Sequence, residues 1–368
     1  MILDAIIIGA GAAGIGVGVA LKHAGIENFT ILDRFEVGAS FRRWPAETRF
    51  ITPSFPTNSI GMLDLNSVAI GVSPAFSLGV EHPNGQEYAA HLAGVAEFFS
   101  LPVRAGVNVL QTTRVGAHFR VDTEDETLRC KHLIWAAGEF QYPRINAFPG
   151  SELCRHTATI PCYRDLQGAD FVIIGGYESG IDAAYHLAKR GKRVRLFDRG
   201  CPWNEESSDP SIALSTYSLE RIRDEQFRAR VALHPNCSIG SVALKKNCYE
   251  LFKPDGSILK TKTQPLLAAG FQGSHRLVSD LFERREDGYP LLNERDESTI
   301  ASGLFLCGPA VRHEKHVFCF IYKYRQRFAV VAKAVATSLG LSAEELELYR
   351  KWGMYLDDLS CCGEECVC

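Results

Sequence analysis

Short apolar runs, each stopped by glycine, organise this chain. The run Ala5–Ile8 has no polar position to mark a solvated face, the pattern of a parallel strand buried on both sides. Gly9, Gly11 and Gly14 follow, and the apolar stretch beyond them has the length of a helix. "FTILDR" then predicts a second strand ending at Asp33. Roughly 165 residues later the order returns. Phe171–Ile174 reads as strand, Gly175, Gly176 and Gly180 frame a turn, Ile181–Arg190 reads as helix, and "RVRLFD" as the next strand. Further on, "SGLFLCGPA" predicts another strand and turn, with helical periodicity from about Lys315. Two strand–turn–helix–strand units predict an α/β fold with two Rossmann-like domains.

The glycine spacing carries chemistry. In G-x-G-x-x-G one glycine makes the tight turn, one lets a pyrophosphate approach bare backbone, and one lets helix and strand pack closely; the helix N-terminus faces the anion. Gly9, Gly11, Ala12, Ala13 and Gly14, with Asp33 and Arg34, form the first expected corner, Asp33 placed to accept a hydrogen bond from a ribose hydroxyl. The second is Gly175, Gly176, Tyr177, Glu178, Ser179 and Gly180. There Tyr177 replaces the middle glycine, and a side chain stands where a pyrophosphate would meet backbone. Asp198 favours a free 2′-hydroxyl and neighbouring Arg199 a 2′-phosphate, which leaves NADH and NADPH both open.

Bulk composition narrows the partners. The 368 residues suit two domains, and 40 basic against 43 acidic side chains, a formal charge of −3, give no reason to expect nucleic acid or an anionic membrane. The uncharged stretch between Asp4 and Lys22 lacks a basic leader and carries five glycines, so it reads as a buried strand and helix, not a signal or a span. The expectation is a cytoplasmic protein with a small-molecule partner; homo-oligomerisation is left open. Most of the 12 cysteines are scattered singly, which fits free thiols in a reducing compartment.

Together the two glycine motifs, "LIWAAGEFQYPRINAFPG" with Ala137 and Gly138, "PLLAAGFQ", and "SGLFLCGPA" with Gly308 resemble the flavoproteins with two dinucleotide-binding domains. Thioredoxin reductases, bacillithiol-disulfide reductases and flavin-containing monooxygenases are among them. The resemblance implies FAD at the first corner, NADPH or NADH at the second, and hydride passing between them. It also implies an FAD domain at 1–165 and 286–352, interrupted by a nicotinamide-nucleotide domain at 166–285. The departures are specific. No Cys-x-x-Cys lies between Gly168 and Phe282, Ala13 stands where bacillithiol-disulfide reductases carry a cysteine, and Gly308 is followed by Pro309. The monooxygenase fingerprint is approximated by Phe148, Gly150 and a displaced His156.

By the same resemblance, Arg312, His313, Lys315 and His316 would lie at a helix N-terminus facing the flavin, where cations suit a reduced, anionic ring. His313 and His316 are the candidate catalytic residues there, and no metal site is expected. The chain closes on "DDLSCCGEECVC". Cys361, Cys362, Cys366 and Cys368, in a separate tail at 353–368, can serve as a redox relay, hold a soft metal, or be idle. The leading expectation is an FAD-dependent NAD(P)H oxidoreductase acting on a disulfide, thiol-linked or soft-metal acceptor. A flavin monooxygenase and an FAD-binding sensor without efficient turnover are the alternatives.

Overall fold

The computed structural model describes residues 2–56, 63–207 and 209–361, the last without its side chain. Six strands open the chain: β1 (Leu3–Ile8), β2 (Phe29–Asp33), β3 (Val103–Ala105), β4 (Val109–Val115), β5 (His118–Thr123) and β6 (Thr127–Trp135). They form one sheet in the order β3-β2-β1-β6-β5-β4. β1 lies parallel to both β2 and β6, and Ala5, Ile6 and Ile7 are fully buried, as the uninterrupted apolar run requires.

The helix after the first glycines, α1 (Ala12–His23), is buried along most of its length. Its extra glycines are notches. A Cβ on Gly16 would lie 2.1 Å from the Phe328 ring, and one on Gly18 2.9 Å from Ile31. A second long helix, α2 (Gly85–Phe98), starts with a reciprocal capping box between Asn84 and Glu87.

The second sheet takes β7 (Arg155–His156), β8 (Asp170–Ile174), β9 (Arg193–Phe197) and β10 (Val231–His234); the antiparallel β11 (Ser241–Lys245), β12 (Cys248–Phe252) and β13 (Ile258–Thr261) form a separate sheet before β14 (Leu266–Leu267). The order of the second sheet is β10-β9-β8-β14-β7, with α3 (Glu178–Ala188) packed on it and α4 (Thr216–Arg223) packed on α3. β7 thus enters the second sheet ahead of the expected boundary at 165. The chain returns as β15 (Leu304–Leu306), which pairs with β6 in the first sheet. The fold is α/β with two Rossmann-like units, the second inserted in the first.

Two expectations change here. Helix does not begin near Lys315. Instead β16 (Arg312–His313) and β17 (His316–Val317) form a hairpin, turning at Glu314 with φ +47°, and helix starts only at α5 (Ile321–Tyr324), followed by α6 (Phe328–Ser338). The chain also stays packed on the core beyond Gly353, the expected boundary of the tail. Met354 is fully buried and Tyr355 nearly so, the Leu356 N–H donates to the Gln326 carbonyl at 3.0 Å, and Arg350 pairs with Asp357 at 2.6 Å. Apolar contact, not composition, sets that boundary.

Candidate functional site

The two glycine corners repeat each other bond for bond. At the first, the Gly9 N–H donates to the Leu32 carbonyl at 2.8 Å and the Ala10 N–H to Asp33 Oδ2 at 2.8 Å. At the second, the Gly175 N–H donates to the Phe197 carbonyl at 2.8 Å and the Gly176 N–H to Asp198 Oδ2 at 2.7 Å. The other carboxylate oxygen takes the amide two residues on, Phe35 for Asp33 and Gly200 for Asp198. Both acids therefore staple their own turn, a task the sequence reading did not assign them, and each oxygen retains a further lone pair for a ribose hydroxyl. A Cβ on Gly14 would stand 1.8 Å from the Gly9 carbonyl oxygen, and one on Gly180 1.9 Å from that of Gly175. These glycines are required by helix–strand packing.

The middle positions differ. Gly11 caps α1 at φ −82°, ψ −169°, a conformation open to any residue, and a Cβ there would meet no atom within 4 Å. Nothing in the polypeptide explains a glycine at this place. A pyrophosphate resting on the bare backbone does, so the corner fits the diphosphate of FAD. Tyr177 caps α3 with nearly the same backbone, φ −83°, ψ −168°. Its ring projects where the first corner is open, and its hydroxyl donates to the carbonyls of Pro210 and, at 2.8 Å, Ala213. Trp203 lies over Gly176, whose Cβ would come within 2.5 Å of the indole. The second corner thus has the backbone for a dinucleotide but is covered in this conformation.

A cleft of about 360 Å3 runs from the first corner to the first turn of α3. Gly9, Gly11, Ala12, Ala13 and Asp33 form one end, and Glu178, Ser179 and Asp182 another wall. Ala137 and Gly138 line it as well. Gly308, at φ +107°, lets the turn after β15 close on α1, its Cβ position 3.1 Å from that of Ala13. Phe41, Trp44 and Phe50 supply an aromatic wall, with Trp44 and Phe50 ring centres 5.0 Å apart. A smaller cavity of about 80 Å3 shares Gly9, Asp33, Ala137 and Gln141 with the cleft and reaches Arg34, Val107 and Val109. The two cavities adjoin at the residues of the pyrophosphate corner. Arg34 reaches across it to Gln141 Oε1 at 2.5 Å. Arg199 is exposed at the end of β9.

Three side chains in the cleft escaped the sequence reading. Glu139 follows the Ala-Gly turn, and burial pushes its carboxyl above the ordinary value, with Arg312 opposing. Tyr324 is buried beside it. Cys319, one of the singly scattered cysteines, lines the cleft, its Sγ 3.0 Å from Ser211 Oγ. Burial raises that thiol's pKa, with Ser211 and Lys323 opposing. No local pattern marks these residues, because the cleft is assembled from distant segments. The walls are also linked: Thr48 donates to Asp182 Oδ2 at 2.6 Å, and Asp182 pairs with Arg221 and, at 3.2 Å, with His186. Burial opposes ionisation of Asp182, but the neighbouring His186, Arg221 and Thr48 hold it below the ordinary value.

Other expected residues are placed elsewhere. His313 is buried, with Nε2 2.5 Å from Asp296 Oδ1, and Asp296 is paired at 2.8 Å with Arg327. This side chain is committed to an internal hydrogen bond and lines neither cavity, which corrects the expectation of a flavin-facing catalytic histidine. His316 lies across the hairpin and lines neither cavity. The monooxygenase-like trio is taken up by packing. A Cβ on Gly150 would stand 1.8 Å from the Val242 carbonyl oxygen, Phe148 packs against the apolar cluster beneath β11, and His156 holds the Gly270 carbonyl at 3.1 Å. Cys362, Cys366, Cys368 and the Cys361 side chain lie outside the described residues. Among those described, eight cysteines are free thiols, no three His, Cys, Asp or Glu are grouped to hold a metal, and no helix is long and apolar enough to cross a membrane.

Comparison with known proteins agrees with this geometry. The family described as pyridine nucleotide-disulphide oxidoreductase matches residues 6–308. An uncharacterized oxidoreductase CzcO of Bacillus velezensis is 29% identical over 192 residues, 50% of this chain and 52% of that protein. The chain thus spans about half the length of that curated relative. Bacilliredoxin reductase Bdr of Bacillus subtilis is 24% identical over 307 residues, covering 83% of this chain and 88% of its own. Among solved structures, bacillithiol disulfide reductase Bdr (YpdA) from Staphylococcus aureus shares the fold with a TM-score of 0.74 at 20% identity, over 92% of this chain and 99% of that one.

Proposed function

This chain belongs to the pyridine nucleotide-disulphide oxidoreductase family, and from that premise we propose that it is an FAD-dependent NAD(P)H oxidoreductase that reduces a low-molecular-weight disulfide or thiol-linked acceptor. The observation that carries the reading is the pair of matched corners on one cleft, with Gly11 and Ala13 at one end and Glu178 and Ser179 across from them. Membership implies flavin and nicotinamide cofactors; the flavin, when bound, supplies two-electron transfer from nicotinamide to the acceptor. The chain's own residues position and insulate. Gly9–Gly14 would seat the diphosphate, Asp33 fixes the turn beneath it, and Phe41, Trp44 and Phe50 would shield the bound ring system from water. Glu139, whose carboxyl burial biases toward its protonated form, lines the same cleft.

The tail cysteines belong to the same proposal, as carriers of electrons out of the cleft. Leu356 is tied to Gln326 and Arg327, two and three residues after Tyr324 of the cleft wall. The seven residues beyond Cys361 can extend at most about 23 Å, at about 3.3 Å each. The relatives named as bacilliredoxin and bacillithiol disulfide reductases favour a small thiol-disulfide substrate over a monooxygenase one. So does the structural use of Gly150 and His156.

The test is anaerobic turnover of a small disulfide with NADH or NADPH, counting thiols released, for the full chain and for a chain ending at Ser360. Stoichiometric thiol release by the full chain, lost on truncation, is expected. In a parallel aerobic assay, substrate-dependent oxygen consumption without thiol release would overturn the reading in favour of a monooxygenase.

A further inference from the structure

The segment after β9 does more than connect elements. Asp209–Ser218 is fastened at both of the places a nicotinamide nucleotide must bridge. On the second corner, its Pro210 and Ala213 carbonyls hold the Tyr177 hydroxyl. Its Ser215 N–H reaches Glu178 at 2.6 Å, and Ser218 bonds the same carboxylate. On the flavin side, Asp209 pairs with Lys323 at 2.5 Å, Ser211 accepts from Lys323 at 2.9 Å, and Ser211 Oγ lies 3.0 Å from Cys319 Sγ. Lys323 is only 5% exposed, so a free ammonium there would be costly and Asp209 is what keeps it paired.

These contacts conflict with nucleotide binding at one point. Tyr177 shares the backbone conformation of Gly11, so its ring fills the space that the first corner leaves open for a pyrophosphate. To clear that space the ring must turn and release Pro210 and Ala213. Resting on the reading proposed above, we infer that Asp209–Ser218 is a strap locked by Tyr177 and Lys323, and that a nicotinamide dinucleotide seats at the second corner by displacing it, which uncovers Cys319 on the cleft wall.

The coupling is reciprocal. Whatever loosens the strap tightens nucleotide binding, and nucleotide binding exposes Cys319. Glu178 fits the scheme, since it is tied to the strap and not turned toward the anion it would repel. Tyr177 then tunes affinity without forbidding it, which reconciles an intact dinucleotide backbone with a missing glycine.

The experiment follows alkylation of Cys319 by iodoacetamide, resolved by peptide mass spectrometry, in the FAD-loaded full chain with and without NADP+ or NAD+. These oxidised nucleotides bind without driving turnover, and calorimetry reports their binding independently. The inference expects Cys319 labelling to rise several-fold on binding, and Asp209→Asn to raise it without nucleotide. It also expects Tyr177→Phe to tighten binding by roughly threefold or more, the effect of one lost restraining hydrogen bond. Nucleotide binding that leaves Cys319 labelling unchanged or slower overturns the strap and spares the oxidoreductase reading. Failure of both nucleotides to bind overturns that reading, while the strap itself is then decided by Asp209→Asn: labelling no faster than in the parent refutes it.

Discussion

Gly11→Ala isolates the claim that the first corner is shaped for a ligand and not for the polypeptide. In the protein alone the change is nearly neutral. At φ −82°, ψ −169° an alanine fits, and its Cβ meets nothing within 4 Å. Replacing glycine where the backbone suits alanine stabilises by about 0.4–1 kcal/mol through the unfolded chain. Alanine is the poorer helix N-cap by about 0.5 kcal/mol or somewhat more. The two offset, so unfolding of the apoprotein in denaturant should shift by less than about 0.5 kcal/mol. The cost falls on the cofactor. A methyl group between the backbone and the diphosphate pushes the anion from the amides at the start of α1, and one hydrogen bond to a charged group is worth about 1.5–3 kcal/mol. FAD affinity, read by quenching of flavin fluorescence on titration into apoprotein, should therefore fall about 10- to 150-fold. Gly14→Ala is the contrast: its Cβ would stand 1.8 Å from a carbonyl oxygen, and it should unfold the apoprotein more easily. FAD binding by Gly11→Ala as tight as in the parent, or an apoprotein weakened by more than about 1 kcal/mol, would refute the reasoning.

Other outcomes follow from the same contacts. Asp296 is fully buried at φ +61°, a conformation asparagine tolerates, so Asp296→Asn keeps the backbone and leaves Arg327 and His313 without their anion. Denaturant unfolding should lose about 3–5 kcal/mol, and a loss under about 1 would show the ion pair to be dispensable. Burial raises the Glu139 carboxyl above its value in the unfolded chain, so the folded protein holds that proton more tightly. The stability it contributes is present below the unfolded value and lost as pH rises through the folded one. Glu139→Gln should flatten the decline of apoprotein stability across that window and remove the matching limb from the pH profile of disulfide turnover; an unchanged profile would exclude Glu139 from proton handling. Tyr177→Gly should empty the second corner and lower the KM for the pyridine nucleotide while FAD binding stays the same, and a raised KM would show the tyrosine to be part of the site.

The two corners were legible because everything that makes them is local. A buried run, three spaced glycines and an acid at the next strand end fix their own geometry within about 30 residues. The cleft was not, since Phe50, Glu139, Asp182 and Cys319 meet only after the second unit is inserted between β6 and β15. Where the reading of helix from Lys315 failed, the chain turns at Glu314 with no glycine to announce it. His313 belonged to Asp296 and Arg327, partners 17 and 14 residues away whose pairing depends on burial. Gly150 and His156 matched a monooxygenase pattern for a reason the sequence cannot display, the 1.8 Å approach to Val242. Met354 and Tyr355 look like the start of a polar tail by neighbourhood, yet they complete the core of the first unit.

The most direct measurement is anaerobic mixing of the FAD-loaded full chain with NADH and, separately, NADPH, following the visible flavin absorbance in a stopped-flow instrument. Prompt bleaching by at least one of them, on a protein that takes up FAD stoichiometrically, is the predicted result. A protein that binds no FAD, or whose bound flavin neither nucleotide reduces, would contradict the claim that two cofactors meet in this cleft.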